Sequence, residues 1–253
     1  MLITRTPYRI SFVGGGTDIK SYYKIYGGRV ISTSINKFLY VIVKKQIGFV
    51  QCKYRINWST VEMCDKIDEI KNPIARETLR YFNIDFPIEI TTIADIPANT
   101  GLGSSSAFAV GLVHALLSLK NIRATKHEIA SIAAKIEIDI LKRNIGKQDH
   151  FASSYGGINI FEFNKNNTVE IIPIPISVKN INKLQKNLMF IYTDITRDAS
   201  KILKNQIMPE NDKFLYLDKI KNLVKEFESI LITGKNFEKL GELLHLNWLY
   251  KKN

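Results

Sequence analysis

The chain has 253 residues, enough for one large domain or two moderate ones with a substantial core. Its 45% hydrophobic and 24% charged residues are ordinary globular values, and no apolar run reaches membrane-spanning length, so no membrane partner is expected. The formal net charge of +12 comes from lysines spread along the chain, with no arginine cluster or aromatic RNA-binding signature beside them. Nucleic acid is therefore not the expected partner, whereas a basic field that draws in phosphorylated substrates is compatible with the charge.

In chain order, extended segments come first, at residues 2–5, 8–13, 29–35 and 38–44, each short and rich in β-branched and aromatic side chains. Between them Gly14-Gly15-Gly16 forms a turn, Asp18 is expected to cap a helix over 19–26, and Gly27-Gly28 ends it. Cys52 and Cys64 are too few for a disulfide framework and have no zinc-type spacing, which with the absence of a signal-peptide pattern predicts a cytoplasmic protein. A helix over 75–82 precedes a strand over 87–94. Helical periodicity then runs over 104–119 and 126–141, with His114 read as a satisfied core residue. Strands follow at 157–163, 169–173 and 188–193, and residues 200–250 read as helix broken near Pro209 and Gly234. Strands mixed with helices in this way predict an α+β protein.

The most specific segment is Pro97-Ala98-Asn99-Thr100-Gly101-Leu102-Gly103-Ser104-Ser105-Ser106-Ala107, a glycine turn between a strand and an apolar helix. Glycines let the backbone turn sharply and approach a ligand closely. Amides at the following helix start are unpaired and point outward, and three hydroxyls stand beside them, so the segment can receive an anion. It is not a Walker A loop, because no Gly-Lys-Ser/Thr closes it. Taken alone, such a turn is either an anion site or a simple helix cap.

The form Pro-x-x-x-Gly-Leu-Gly-Ser-Ser resembles the phosphate-binding signature of the GHMP kinases. The opening Thr6-Pro7-Tyr8-Arg9-Ile10-Ser11-Phe12-Val13-Gly14-Gly15-Gly16-Thr17-Asp18 is similar to the sugar-1-kinase branch, nearest the D-glycero-D-manno-heptose 7-phosphate kinases. The resemblance implies a two-lobed fold. Residues 1–180 would form an ATP- and sugar-binding lobe like ribosomal protein S5 domain 2, and residues 181–253 an incomplete ferredoxin-like lobe. It implies ATP and Mg2+ as cofactors and transfer of phosphate to the anomeric hydroxyl of a sugar phosphate, giving the 1,7-bisphosphate.

It also distributes roles. Pro97 and Asn99 to Ser106 would cradle the nucleotide phosphates. Asn99 stands where such loops often carry glycine, a mild departure because asparagine tolerates a left-handed backbone. Ser105 and Glu137 would reach the magnesium ion, whereas Asp139 faces the other side of its helix. Read from the residues alone, Glu137 is a solvated helix charge. Asp149, in Gly146-Lys147-Gln148-Asp149-His150, would accept the proton of the attacking hydroxyl or orient it; otherwise it caps the short helix before Tyr155. Arg9 would fork onto Asp149 and the reacting phosphate. Gly14, Gly15, Gly16, Thr17, Asp18 and Gly157 would contact the sugar. Relatives commonly carry glutamine where His150 stands, and Tyr192-Thr193-Asp194 is assigned no role.

The family's third motif, a Gly-x-Gly-Gly-Gly-Gly loop, has no counterpart among the fourteen glycines. The expectation is a truncated or split kinase with an impaired second lobe, and association or homodimerisation through it. Three alternatives stand beside the heptose reading: another sugar 1-kinase of fucokinase type, a non-catalytic nucleotide-binding remnant, and a basic RNA-binding module.

Overall fold

The computed structural model describes residues 1–192 and 211–252, and these fold as two compact units. The first holds Met1–Arg9, Ser34–Arg143 and Asp149–Gly156; the second holds Ile10–Thr33, Asn144–Gln148 and Gly157–Asn253. Two long strands run through both. β1 (Leu2–Val13) is continuous where two short strands were expected. The expected break lay at Pro7, but β1 pairs with β2, and a strand with an unpaired side tolerates a residue that lacks an N–H. β2 (Gly28–Lys45) likewise runs through Asn36-Lys37, two exposed polar residues that mimic a turn in sequence.

In the first unit, β3 (Tyr54–Asn57) and β4 (Val61–Cys64) form a hairpin that the sequence reading missed. Each has only four residues, too few to display an alternating pattern. β5 (Ile88–Ala94) pairs in parallel with β3 and antiparallel with β2, giving the strand order β4-β3-β5-β2. The helices α2 (Pro73–Tyr81), α3 (Ser104–Leu119) and α4 (Lys126–Ala134) also belong here. α3 is apolar nearly all round and correspondingly buried from Ser106 to Leu117, His114 being the one interruption. Gly111 is required by close approach: a Cβ there would lie 2.9 Å from both Thr6 Oγ1 and Val41 Cγ2. The Thr4 hydroxyl donates to the Gly111 carbonyl at 2.9 Å, fixing the helix on β1. His114, expected in the core, is instead exposed.

The predicted helix over 126–141 changes character halfway. α4 stops at Ala134, and Lys135–Ile140 continue as a π turn, with the Leu141 amide bonding back five residues to Ile136. Lys142 then takes a left-handed conformation (φ 54°). The short helix α5 (Gln148–Tyr155) follows.

In the second unit, α1 (Lys20–Tyr26) begins after Ile19, with no side-chain cap. Asp18 does not cap it as expected; its carboxylate has other backbone partners, given below. Gly27 (φ 69°) ends the helix as predicted. β6 (Ile158–Phe163) and β7 (Val169–Pro173) extend antiparallel from the first part of β2. α6 (Val178–Asn187) was not anticipated. The strand expected at 188–193 is absent over 188–192, and its last residue lies outside the described residues, as do Pro209 and the segment after Thr193-Asp194. α7 (Asn211–Thr233) and α8 (Lys239–Lys252) are separated at Gly234 (φ 69°), as expected. There the Asn180 amide donates to the Leu231 and Ile232 carbonyls at 3.0 Å each, satisfying the helix end. This unit's core gathers Phe12, Ile31, Ile160, Leu184, Phe227 and Leu243, with Phe12 stacked on Phe227.

Candidate active site

The glycine turn between β5 and α3 has the conformation its composition requires. Asn99, Gly101 and Gly103 have φ of 62°, 78° and 78°, so the left-handed backbone falls on the residue types that tolerate it. The Thr100 hydroxyl closes the turn on the Pro97 carbonyl at 3.2 Å. Gly103 is the N-cap of α3, and Ser104, Ser105 and Ser106 form the first turn of that sixteen-residue helix. Ser106 is buried. The loop and helix start border a cavity of about 650 Å³, whose other walls include Leu39, Trp58, Ile74, Phe108 and Arg143. A hollow of similar size near His114 and Arg123 lies at the opposite end of α3 and contains none of these residues.

Arg9, near the middle of β1, makes a two-pronged ion pair with Asp149 of α5: Nε donates to Oδ1 and Nη2 to Oδ2, each at 2.6 Å. Its third nitrogen, Nη1, donates to the Gly101 carbonyl at 2.8 Å, and its backbone N–H to the Leu102 carbonyl at 3.2 Å. One arginine thus ties the carboxylate to the glycine turn. Asp149 Oδ2 is only 3.3 Å from where a Cβ on Gly103 would stand. Two parallel bonds to a planar guanidinium fix the carboxylate's orientation as well as its position.

Glu137 sits on the π turn, fully buried, while Asp139 two residues on is exposed. The π turn and the left-handed Lys142 fold the chain back so that the Arg143 amide donates to the Glu137 carbonyl at 3.0 Å. π turns of this kind recur at functional sites. The Ser105 hydroxyl makes a short hydrogen bond to Glu137 Oε1. Arg143 Nη1 lies 2.7 Å from both the Ser105 oxygen and Glu137 Oε1. On the opposite side, His150 Nε2 contacts Glu137 Oε2 at 2.8 Å, with both side chains fully buried. Burial pushes the Glu137 carboxyl up, but hydrogen bonding and charge from His150, with Ser105 and Arg143, outweigh it and hold the group below the ordinary glutamate range.

Sequence reasoning missed Arg143 and His150 as partners of Glu137. A six-residue separation is not a helix-face spacing, and only the π turn brings Arg143 round. His150 carried a signal, being the departure from glutamine beside Asp149. A hydroxyl and a carboxylate oxygen in contact are hard donors of the kind magnesium takes, so Ser105 and Glu137 fit that ion. Among the described residues no cluster of three or more His, Cys, Asp or Glu stands close enough to bind a metal.

The Gly14 to Asp18 segment lies in the second unit. Gly14 (φ 89°) has no room for a side chain, since a Cβ would stand 2.1 Å from the Arg29 carbonyl oxygen. Thr17 is fully buried, its hydroxyl bonded to Gly14 and Arg29 backbone atoms. Asp18 is also buried, accepting from the Gly16 and Gln148 amides at 3.1 and 2.9 Å. A Cβ on Gly146 would stand 1.8 Å from Asp18 Oδ2, so both glycine segments close around this carboxylate. Around Gly15 stand Ser11, Gln148 and Lys251, whose polar atoms lie within 3.5 Å of its Cβ position. Gly157 (φ 75°) immediately precedes β6.

Residues 69–157 match the model of the GHMP kinases N terminal domain, which takes in the glycine turn, Glu137 and Asp149. The fold and this domain point to a class: over these residues the chain is similar to the GHMP kinases, and the relatives it matches are named as kinases. Among individual proteins, it is 27% identical to D-glycero-alpha-D-manno-heptose 7-phosphate kinase of Campylobacter jejuni, over 98% of this chain and 76% of that one. It is 26% identical to L-fucokinase/L-fucose-1-P guanylyltransferase of Bacteroides fragilis, over 98% of this chain and 30% of that one. The crystal structure of a D-glycero-D-manno-heptose 1-phosphate kinase from Bacteroides thetaiotaomicron superposes with a TM-score of 0.79 at 22% identity, covering 99% of this chain and 79% of that one. No helix among the described residues is long and apolar enough to cross a membrane.

Proposed function

We propose that this protein transfers the terminal phosphoryl group of ATP to the anomeric hydroxyl of D-glycero-D-manno-heptose 7-phosphate. The observation that carries the reading is the Arg9–Asp149 pair seated against Gly103 at the start of α3. Residues 1–180 would then be the ATP- and sugar-binding lobe and 181–253 the second lobe. Nucleotide phosphates lie on Asn99 to Ser106, where outward amides and hydroxyls receive negative charge, and the apolar walls of the 650 Å³ cavity take the base. Ser105 and Glu137 hold Mg2+, which when bound neutralises charge on the phosphates. Asp149 accepts a hydrogen bond from the sugar hydroxyl and takes its proton as the new O–P bond forms and ADP leaves. A carboxylate is a weak base for an alcohol, so orientation does most of the work, and Arg9 supplies it. Gly14 to Asp18 and Gly157 form the sugar's loop. Asp18 and Thr17 are held by backbone partners, and Ser11, Gln148 and Lys251 stand around Gly15 of the same loop.

The heptose assignment rests on the heptose kinase relative and on the motifs of β1 and the loop after it. Fucokinase likeness at nearly equal identity makes another sugar 1-kinase the second reading. Supplying D-glycero-D-manno-heptose 7-phosphate, fucose, mannose and galactose with Mg-ATP, and following ADP release and product 31P spectra, separates them. Turnover on the heptose with a new anomeric phosphate is expected. Turnover on fucose alone would move the assignment to the second reading, and none on any sugar by a folded sample would refute both.

A further inference from the structure

The reading above assigns Ser105 and Glu137 to a divalent cation, and the following inference rests on it. Against those two oxygens, which are hydrogen-bonded to each other, stands a cation of the chain's own. Arg143 Nη1 is 2.7 Å from the Ser105 oxygen and 2.7 Å from Glu137 Oε1, on the side away from buried His150. Its side chain is 30% exposed and lines the cavity, so unlike Glu137 it has somewhere to go. The fold does not need this side-chain contact to close the π turn, because the Arg143 amide already bonds the Glu137 carbonyl.

We propose that Arg143 is an internal stand-in for the divalent cation. Its guanidinium neutralises the Ser105–Glu137 oxygen pair and closes it, and the pair becomes a metal ligand set only when Arg143 moves off. A positive guanidinium and a divalent ion cannot share two oxygens a few ångströms apart, because their repulsion is strong and burial screens it poorly. A displaced guanidinium would remain in the cavity beside the glycine turn, where its fork suits phosphate oxygens. Nucleotide therefore draws Arg143 off and favours metal entry, so metal and nucleotide bind cooperatively.

Mn2+ titrated alone into the whole chain, with the free ion followed by electron paramagnetic resonance, tests this. Arg143→Met should bind Mn2+ about tenfold or more tightly than the unaltered chain, Arg143→Gln should do the same, and adding Ser105→Ala to either should remove the gain. Circular dichroism checks that each variant is folded; the two neutral replacements differ in polarity, so a folding failure of one leaves the other. Equal or weaker Mn2+ binding by the variants, including no binding by any form, would overturn the proposal. So would a gain that survives Ser105→Ala. Unchanged affinity with Mn2+ still lost on Ser105→Ala removes the stand-in and keeps the metal ligands. The predicted gain in a chain that phosphorylates no sugar keeps the stand-in and removes the kinase reading.

Discussion

Replacing Glu137 by glutamine tests the buried network with little change of shape. The carboxylate is fully buried and accepts from Ser105, Arg143 and His150. Glutamine has one accepting oxygen. If that oxygen faces Ser105 and Arg143, an NH2 group meets His150 Nε2, whose other nitrogen, Nδ1, already has no partner among the described residues. One charge-assisted hydrogen bond is lost at about 1.5–3 kcal/mol, and leaving one partner of a buried ion pair alone costs about 3–5 kcal/mol. Arg143 is partly exposed and water can take up some of its loss, so a net destabilisation of about 3 kcal/mol is expected. At roughly 2–4 °C per kcal/mol for a domain of this size, the melting temperature should fall by about 6–12 °C. Urea unfolding read from Trp58, in the same unit, with Trp248 replaced by phenylalanine, isolates that unit's transition. A loss below about 1 kcal/mol would refute the argument that this carboxylate holds three donors at a net gain.

Two further predictions concern the same unit. The Glu137 carboxyl is held below its ordinary range, so its stabilisation should be complete above that range and fade as the pH falls through the lowered value. The stability gap between the unaltered chain and Glu137→Gln should therefore be widest near neutrality and close in acid; a gap that widened on acidification would reverse the sign. Gly111→Ala should destabilise by about 1 kcal/mol although alanine is the better helix former, because its Cβ meets Thr6 and Val41 at 2.9 Å. Stabilisation in urea unfolding would show that β1 and β2 give way there.

What was legible in the sequence depended on how local the cause was. The bounds of α3, Ser104 to Leu119, follow from a glycine and serines before an unbroken apolar run, and the structure agrees. Asn99 carried its own explanation in its tolerance of positive φ. Gly234 ended its helix for the same local reason. Non-local effects were not legible. Pro7 and Asn36-Lys37 look like breaks, but pairing along the sheet carries both strands through. The hairpin of β3 and β4 is stabilised by β5 rather than by its own four-residue strands. In the site, Arg9, Glu137 and Asp149 were selectable only through family resemblance, since each is by itself an unremarkable charge. Arg143 reaches Glu137 only because Lys135–Ile140 is a π turn and Lys142 is left-handed, and no periodicity announces either.

The central claim is that Arg9 and Asp149 form a phosphoryl-transfer pair at the glycine turn. Its most direct test is Asp149→Asn, with nucleotide affinity and ADP release on the heptose substrate measured together. Asparagine keeps the shape and leaves Asn99 to Ser106 untouched, so nucleotide should bind within about twofold while turnover falls by 10²-fold or more. Turnover within a few-fold of the unaltered protein would contradict the account.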